Sequence, residues 1–580
     1  MRAPRLLIAG LGSLVLTGCA AVAPRPVAAV TADALDRDYA ATAYGQFLAG
    51  QAAVNHGETA LAAGYFSKAA GLEDGADRAL LVTRTFTSAL LSGDIPRAAA
   101  LAPTGSDGDA GLRRLGALVR GVEALATGKG KLARVILTSP DASASTELAA
   151  ALLVPFAAAT AGDADASIAS STIKGQPIGQ FFAALDQGKL FERARRYDEA
   201  ETAFRALIGK GDPGGIASLN LGQMLERRGR ADDAAAIYAS ALARKSDSPD
   251  LEAARARARA HRPAPPLPSI RESAAIALVA PATALLAEKQ EEVALAYLRL
   301  ALRLDPTLDE AWMLVGDILT TNLDESGARD AFARVRPGSS QFLGARTRLA
   351  WSYQNGGDKA QALVIARETL ARFPDAREAR IDLADLLRVN EQFPESIKVL
   401  DDLIGPQPQA SDWRLIYMRA VDEAQSERWP DAERDLLAAL VLRPDEPELL
   451  NFLGYSWIDR GVRLPEAMAM VQKAVTLQPQ SGAMIDSLGW GYFRIGDYPA
   501  AVQKLEAAVA LEPGDPDVND HLGDAYWRVG RRVEATFQWR RVLTLDPGPK
   551  LKAEVEAKLV SGLAPPPAAP ARGAAIVAAN

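Results

Sequence analysis

Residues that build most catalytic, metal and cross-linked sites are scarce in this chain of 580 residues. It contains one cysteine and three histidines, and aromatic residues make up 6% of it. One cysteine cannot form a disulfide within the chain or supply a zinc site with several thiolates. The histidines, His56, His261 and His521, are scattered among separate segments and share no metal-ligand spacing. We therefore predict no metal and no cofactor.

Catalytic motifs are missing as well. No phosphate-binding glycine loop ends in Gly-Lys-Ser or Gly-Lys-Thr, and no serine occupies a nucleophile elbow. Residues 171–174, Ser-Thr-Ile-Lys, fit the Ser-x-x-Lys that begins a penicillin-binding active site, but the companion Lys-Thr-Gly and Ser-Asp-Asn motifs are absent. We predict that the protein is not an enzyme. The alternative is a catalytic segment hidden within residues 79–180.

The charge balance excludes another class of partner. The net charge is −7 at pH 7 with a pI near 5.4, and the sequence has no basic cluster of the kind that binds nucleic acid. We predict no nucleic-acid partner. With 48% hydrophobic and 24% charged residues the composition is globular. After residue 19 we expect no apolar run long enough to cross a membrane, which takes about 20 residues.

The N-terminus has the features of an export signal. Basic Arg2 and Arg5 precede an apolar run from Leu6 to Leu16, and its 11 residues are too few to span a bilayer, which needs about 20. The run ends in Leu-Thr-Gly-Cys at residues 16–19. This ending resembles the lipobox of bacterial lipoproteins.

The lipobox resemblance implies that a peptidase removes residues 1–18 and that diacylglycerol is attached to the thiol of Cys19. We predict an N-terminal linker over residues 19–42. Several acyl chains on one cysteine anchor a protein stably, whereas a single chain does not. Ala20 stands where the enteric sorting pattern uses Asp to retain a lipoprotein in the inner membrane. We therefore expect a lipid-anchored protein of the cell envelope, in the outer membrane and facing the periplasm.

The rest of the chain repeats itself with a period near 34 residues. Three series of positions keep this spacing: small residues, then mostly alanines, then prolines. A close crossing of two antiparallel helices explains the first two series, because each helix needs a small residue where the axes meet. Large residues four positions after the second series fill the core on the same helix face. The three series are Gly316, Ala350, Ala384, Ala420, Gly454, Gly489 and Gly523; Ala328, Ala362, Ser396, Ala432, Ala467, Ala501 and Ala535; and Pro374, Pro408, Pro444, Pro479, Pro513 and Pro547.

This pattern resembles the tetratricopeptide repeat. One unit that carries the resemblance consists of Leu488, Gly489, Tyr492, Gly496, Ala501, Leu505, Ala508 and Pro513. The resemblance implies an all-α fold, a right-handed α-solenoid superhelix of tetratricopeptide-type helix pairs. It also implies a groove lined by the first helices of successive repeats, which members of this family use to hold peptides or partner domains.

The repeats predict the division of the chain. Clear repeats occupy residues 309–549, and residues 43–260 form a block of more degenerate repeats that are clearest at 181–248. The proline-rich run at 261–269 breaks the register, so we predict a stiff linker there between separately folding blocks. The second block, 270–563, ends in a capping helix, and the Ala/Pro tail 564–580 is expected to be disordered.

The predicted groove positions of the last three repeats carry aromatic, acidic and basic residues. Tyr455, Trp490 and Trp527 are not required by the repeat pattern, and such aromatics beside Asn, Asp and Arg are typical of a binding hot spot. Alternatively, the rings fill gaps between neighbouring first helices. The candidate set is Asn451, Tyr455, Asp486, Trp490, Phe493, Arg494, Asp520, Asp524, Trp527 and Arg528.

Together these features predict a non-enzymatic, membrane-anchored scaffold for protein–protein interactions. Resemblance to tetratricopeptide lipoproteins implies a role in envelope or outer-membrane assembly, with envelope proteins or peptides as partners. The alternative is a glycan-binding accessory lipoprotein of polysaccharide export or the cell wall, since aromatic rings flanked by carboxylates also suit sugars.

Overall fold

The computed structural model describes residues 42–74, 76–104, 110–142, 147–171, 173–244, 248–406 and 408–564. Cys19, the predicted signal peptide, the predicted linker up to residue 41 and the predicted tail from residue 565 lie outside the described residues. Within the described ranges every regular element is a helix, which confirms the predicted all-α solenoid class.

Two compact units make up the chain, and the division falls between Pro374 and Asp375. We call the described residues up to 374 the first unit and those from 375 the second unit. In each unit most helices form pairs joined by short turns. Within a pair, we call the helix that comes earlier in the sequence the first helix and the later one the second helix.

The first unit begins with six helix pairs and one unpaired helix. These are α1 (Ala43–Asn55), α2 (Thr59–Leu72), α3 (Ala76–Ser92), α4 (Ile95–Leu101), α5 (Ala110–Ala126), α6 (Gly130–Leu137), α7 (Glu147–Thr160), α8 (Ala164–Ser167), α9 (Pro177–Arg193), α10 (Tyr197–Lys210), α11 (Ile216–Arg227), α12 (Ala231–Ala243) and the unpaired α13 (Pro249–Arg259).

Three further pairs complete the first unit. They are α14 (Ile270–Ala287) with α15 (Glu291–Leu304), α16 (Asp309–Thr321) with α17 (Glu325–Ala333), and α18 (Phe342–Asn355) with α19 (Lys359–Arg372).

The second unit contains five pairs and a closing helix. These are α20 (Arg377–Val389), α21 (Phe393–Ile404), α22 (Trp413–Gln425), α23 (Trp429–Leu442), α24 (Pro447–Arg460), α25 (Leu464–Leu477), α26 (Gly482–Ile495), α27 (Tyr498–Leu511), α28 (Pro516–Arg528), α29 (Arg532–Val542) and α30 (Pro549–Ser561). Helix α30 lies where the sequence predicts a capping helix.

Small residues of the first helices face large side chains of the second helices, as the spacing predicts. A Cβ atom at Gly489 would lie 2.7 Å from Cγ of Leu505, and one at Gly523 would lie 2.6 Å from Cδ1 of Trp539. Both distances are shorter than a carbon–carbon contact, which is about 3.5–4.0 Å at its optimum. The helices therefore approach closely only because these positions lack a side chain. The same relation joins Gly50, Gly188, Gly222 and Gly316 to Phe66, Phe204, Tyr238 and Phe332.

Turns within the pairs use left-handed backbone, in which glycine is favoured. The φ angle is positive at Gly57, Gly93, Gly128 and Gly162, each of which lies in the turn between the two helices of a pair. The repeat that contains Gly454 has one extra residue, which lies in the turn between α24 and α25.

After α13 the chain turns back across the first helices of the preceding pairs. Helix α14 packs against α7 and α9, and α15 packs against α3, α4 and α5. The proline-rich segment between α13 and α14 is not helical and passes the ends of α11 and α9. There, Arg227 donates a hydrogen bond to the carbonyl oxygen of Pro265 at 3.0 Å, and Arg193 donates one to that of Pro268.

Polar contacts hold α15 in this position. Arg299 donates to the carbonyl oxygen of Leu91 at 2.9 Å. The guanidinium of Arg303 makes two hydrogen bonds, of 2.8 and 3.0 Å, to the carboxylate of Glu123 on α5. The first-helix face of the early pairs is thus covered by a later part of the same unit.

The two compact units meet at residues 374 and 375, whereas the sequence predicts a linker at residues 261–269. Residues 261–269 are extended, as expected for a proline-rich segment. They lead α14 and α15 back onto the first block instead of away from it, so both sides belong to one compact unit that ends at Pro374. Separate folding of blocks 43–260 and 270–563 stays a prediction.

Helix α14 corrects the expectation that no segment after residue 19 could cross a membrane. Its 18 residues have a mean hydropathy of 1.5, so this helix is long and apolar enough to cross a membrane by length and composition alone. The same composition suits a helix buried on several sides. Ala274, Leu278 and Ala282 of α14 are fully buried in the first unit.

Candidate functional site

The predicted groove residues lie on the first helices of the last three pairs. Asn451 and Tyr455 belong to α24, residues 486–494 to α26 and residues 520–528 to α28. Helix α26 contacts both α24 and α28. The candidate residues therefore share one continuous first-helix face of the second unit.

Trp490 lies within a stack of three rings. Its ring centroid is 4.7 Å from that of Phe493 and 4.2 Å from that of His521, with interplanar angles of 9° and 15°. Trp490 is 5% exposed and belongs to the core of the second unit. Of the two interpretations of the aromatic residues, packing between first helices is the one that describes Trp490.

His521, which sequence reasoning sets aside with the other histidines, forms a buried pair with Asp486. Its Nδ1 atom lies 2.9 and 3.0 Å from the two carboxylate oxygens of Asp486. Burial opposes protonation of the ring, but Asp486, Asp520 and Asp517 outweigh burial and raise the pKa of His521 to about 9. The ring is therefore a cation at neutral pH. The two residues are 35 apart, about one repeat, and this spacing is the signal that could have revealed the pair.

Helix α30 reaches the first-helix face at the last repeat. The Nζ atom of Lys558 lies 2.7 Å from both carboxylate oxygens of Asp520 and 2.8 Å from Oδ2 of Asp524. Both carboxylates are buried, and Trp539 donates a hydrogen bond of 3.1 Å to Oδ1 of Asp524. Lys558 of the chain itself thus pairs with both acids that the sequence places on the groove wall.

Trp527 keeps part of its surface exposed. Its ring centroid lies 5.3 Å from that of Trp539, and the guanidinium carbon of Arg532 lies 4.2 Å from its ring centroid. Gly562, just after α30, stands against the ring so closely that any side chain there would overlap it. Trp527 is therefore half-buried at the end of the face.

The two predicted groove arginines contact neighbouring repeats. Arg494 donates a hydrogen bond of 2.7 Å to the carbonyl oxygen of Asp459 on the preceding first helix. The guanidinium carbon of Arg528 lies 5.9 Å from the ring centroid of half-buried Phe493. Both arginines keep part of their side chains in solvent.

On α24 the structure buries Asn451 and leaves Tyr455 half-buried. Sequence reasoning missed a further ring, Tyr417 on α22, which is also half-buried and packs edge to face on Phe452 with centroids 5.8 Å apart. Tyr417 lies 34 positions before Asn451 in the sequence. Extending the groove positions by one more repeat would have found it.

The weak Ser-x-x-Lys match gains no partners among the described residues. Ser171 and Lys174 are exposed, and the Ser171 hydroxyl accepts a hydrogen bond of 3.1 Å from the backbone of Ile173. Thr172 lies outside the described residues. In the described ranges, no group of three His, Cys, Asp or Glu side chains is placed to hold a metal ion.

Two family models match the repeats. A model described as Tetratricopeptide repeat matches residues 185–249, 347–411 and 417–482, and one described as TPR repeat matches residues 491–530. These matches support the assignment of the repeats to the tetratricopeptide family, as the sequence resemblance implies. Repeats of this family are generally non-catalytic scaffolds that bind protein partners.

Known proteins align with the chain over various lengths. A TPR repeat-containing protein of Pseudomonas aeruginosa, PA4667, is 28% identical over 190 residues, which are 33% of this chain and 32% of that protein. The chain thus matches about a third of this relative's length.

Solved structures of repeat proteins also align. A tetratricopeptide repeat protein from Parabacteroides merdae covers 43% of this chain and 98% of its own, with 13% identity and a TM-score of 0.38. The APC/C hetero-tetramer Cut9–Hcn1 covers 88% of this chain and 95% of its own, with 13% identity and a TM-score of 0.36.

Proposed function

We propose that this protein is a lipid-anchored scaffold of the bacterial cell envelope that holds partner proteins on the first-helix face of the second unit, in envelope or outer-membrane assembly. Its tetratricopeptide repeats support the binding of proteins. The anchor rests on the lipobox-like sequence that ends at Cys19.

The observation that carries the proposal is the difference between the first-helix faces of the two units. In the first unit, α14 and α15 pack across α3, α5, α7 and α9. Within residues 375–564, no helix of the second unit crosses the first helices before Lys558 of α30 reaches α28. Among the described residues of this unit, its own helices therefore leave the first-helix face open as far as α28.

The open face carries rings of the kind that form binding hot spots. Tyr417, Tyr455, Phe493 and Trp527 are each half-buried, so their positions are fixed by packing while part of each ring meets solvent. Rigid aromatic side chains supply contact area at little cost in conformational entropy, and they dominate many protein interfaces.

A protein partner is favoured over a glycan by the surroundings of Trp490. Sugars bind aromatic residues by stacking on a ring face, and both faces of Trp490 are taken, one by Phe493 and one by His521. The acids that would bind sugar hydroxyls, Asp486 and Asp520, are paired with His521 and Lys558.

The test is a pull-down from detergent-solubilised envelope, followed by mass spectrometry, with four tagged chains. These are the wild type, Cys19→Ser, the double variant Tyr455→Ala with Trp527→Ala, and the control Tyr44→Ala, which removes an exposed ring of α1 in the first unit. We expect Cys19→Ser to leave the membrane fraction and to take up no labelled palmitate. We expect the double variant to capture about tenfold less partner protein, and the control to behave as the wild type.

Each part of the proposal has its own contrary result. A Cys19→Ser chain that still fractionates with membranes would remove the anchor. If the folded double variant captures as much protein as the wild type does, the first-helix face of the second unit is not the partner-binding site. If the double variant melts far below the wild type, the pull-down is repeated with the single variant Tyr455→Ala, and its protein capture tests the first-helix face. Recovery of polysaccharide in place of protein would favour the glycan alternative.

A further inference from the structure

The second helix of the last pair exposes apolar side chains on its outer face. Val533 is 82% exposed and Phe537 is 64% exposed. Val529, in the turn before α29, is 36% exposed. Val533 and Phe537 are four apart on α29, so they form one stripe along the helix, and Val529 precedes this stripe in the turn. Within the described part of the chain this stripe is left in solvent.

The fold does not need apolar residues at these positions. Val533 and Phe537 stand two residues before and two residues after the buried Ala535. In the four preceding second helices the corresponding exposed pairs are Pro394 and Lys398, Pro430 and Arg434, Pro465 and Ala469, and Pro499 and Gln503. Proline suits the first turn of a helix because its φ angle is preset. Val533 gives up that advantage, and Phe537 replaces polar or small residues.

An exposed arginine lies at the end of the stripe. Arg540 follows Phe537 by three residues and has no ion pair within the described residues. Its neighbour Arg541 already donates hydrogen bonds of 3.3 and 2.8 Å to the carbonyl oxygen of Pro513. The guanidinium of Arg540 is therefore available to a carboxylate beside an apolar surface.

We propose that Val529, Val533, Phe537 and Arg540 form a docking surface for an acidic amphipathic helix of a partner protein. Apolar residues spaced three and four apart on that helix would cover Val533 and Phe537. A carboxylate at its edge would pair with Arg540 through forked hydrogen bonds. The surface uses other residues than the first-helix face, so the two proposals succeed or fail separately.

Charge favours a protein over a lipid surface as the occupant. A helix that lies on an anionic membrane carries several free basic residues along its polar face. Arg531, just before α29, is paired with Glu534 at 3.1 Å. On α29, Arg532 lies over the ring of Trp527 at 4.2 Å, and Arg541 is bonded to backbone. A single available arginine, Arg540, beside a short apolar stripe fits a partner helix that places one carboxylate at this position.

The test measures binding of two synthetic helical peptides to the full chain by fluorescence anisotropy. Both peptides carry the same leucine face, which one flanks with glutamates and the other with lysines. We expect the glutamate peptide to bind about tenfold or more tightly than the lysine peptide. The double variant Val533→Thr with Phe537→Gln should bind the glutamate peptide about tenfold more weakly than the wild type does. Arg540→Glu should weaken binding of the glutamate peptide equally and strengthen binding of the lysine peptide. The control is Val441→Thr on α23, where the residue is 80% exposed outside the stripe.

Several results would overturn the docking surface. Equal binding of the two peptides, or binding that the substitutions leave unchanged, would contradict the proposed docking surface. Binding to vesicles of anionic phospholipid that depends on Phe537, without peptide binding, would assign the stripe to a membrane. A markedly lower melting temperature of the Val533→Thr, Phe537→Gln chain would show that the stripe is covered by the chain itself. Tyr455→Ala with Trp527→Ala should bind the glutamate peptide as the wild type does.

Discussion

Side chains on the first-helix face of the second unit stabilise the fold before they meet any partner. The rings of Trp490, Phe493 and His521 stack on one another. Asp486 pairs with His521, and Asp520 and Asp524 share Lys558. Buried charges are tolerated when they are paired and hydrogen-bonded. A change at these positions will therefore alter stability first, and binding only as a consequence.

His521→Asn should destabilise the second unit in a way that depends on pH. The pKa of His521 is about 9 in the folded protein, against an ordinary 6.5. Folding thus favours the protonated ring, and this contribution is full below about pH 6.5 and lost as the pH rises through about 9. At about 1.4 kcal/mol per pKa unit it is on the order of 3 kcal/mol. Thermal unfolding at about pH 6 and about pH 10 measures it.

The expected result is a gap in melting temperature between wild type and His521→Asn that narrows at high pH. A gap of equal size at both pH values would assign the effect to lost ring packing alone. The exposed histidine of the proline-rich region supplies the control, because His261→Asn removes a ring that lies 3.8 Å from Asp232 on the surface and should change little.

Residue positions could be predicted from the sequence, but residue environments could not. The period placed Trp490 and Trp527 on first helices correctly. Whether a ring at such a position is covered depends on the neighbouring elements, since His521 stacks on Trp490 and Gly562 lies against Trp527. Such contacts depend on the offset between successive pairs and on the path of the chain after the last pair. A spacing of 34 residues specifies neither.

At the scale of helices the prediction is much better, because the pairing of two helices is local. The small residue of a first helix and the large residue that fills the crossing are 16 apart in most pairs, as at Gly489 and Leu505. Both therefore stand in the sequence within one repeat. The same relation identifies α1 and α2 as a pair through Gly50 and Phe66, although this repeat is weak in its other positions.

The pair formed by α1 and α2 offers a matched test of the crossing. A Cβ atom at Gly50 would lie 2.7 Å from Cδ1 of the fully buried Phe66, whereas one at Gly64, in the middle of α2, would meet nothing within 4 Å. Gly50→Ala should cost about 1–3 kcal/mol through overpacking. Gly64→Ala should stabilise the helix by about 0.5–1 kcal/mol, since glycine is a poor helix former.

Hydrogen exchange of the α1 and α2 amides reads out this difference, because a terminal repeat can open without the rest of a solenoid. We expect faster exchange in Gly50→Ala and slower exchange in Gly64→Ala. If both substitutions slow exchange, the helices do not cross closely and the spacing argument is incorrect for this pair.

At the scale of the whole molecule, the sequence indicated the break in register but not its consequence. Proline-rich composition predicts an extended segment and says nothing of its direction. Helix α14 carried the missing information, since a helix that is apolar on most sides must be buried against other elements. Its partners, α7 and α9, are more than 75 residues earlier in the chain, and no spacing within one repeat could identify them.

The packing of α14 and α15 predicts that cutting the proline-rich segment will not separate the chain. A protease site inserted after Pro266 should yield two fragments that elute together in gel filtration, because α14 and α15 bury apolar surface against α3, α5, α7 and α9. The half-buried ion pair of Arg303 with Glu123 contributes to this contact. Arg303→Glu should promote dissociation of the cut chain by placing two carboxylates together, and Glu123→Arg with Arg303→Glu should restore association. Fragments that separate in the unsubstituted protein would instead support two independent blocks joined by a linker.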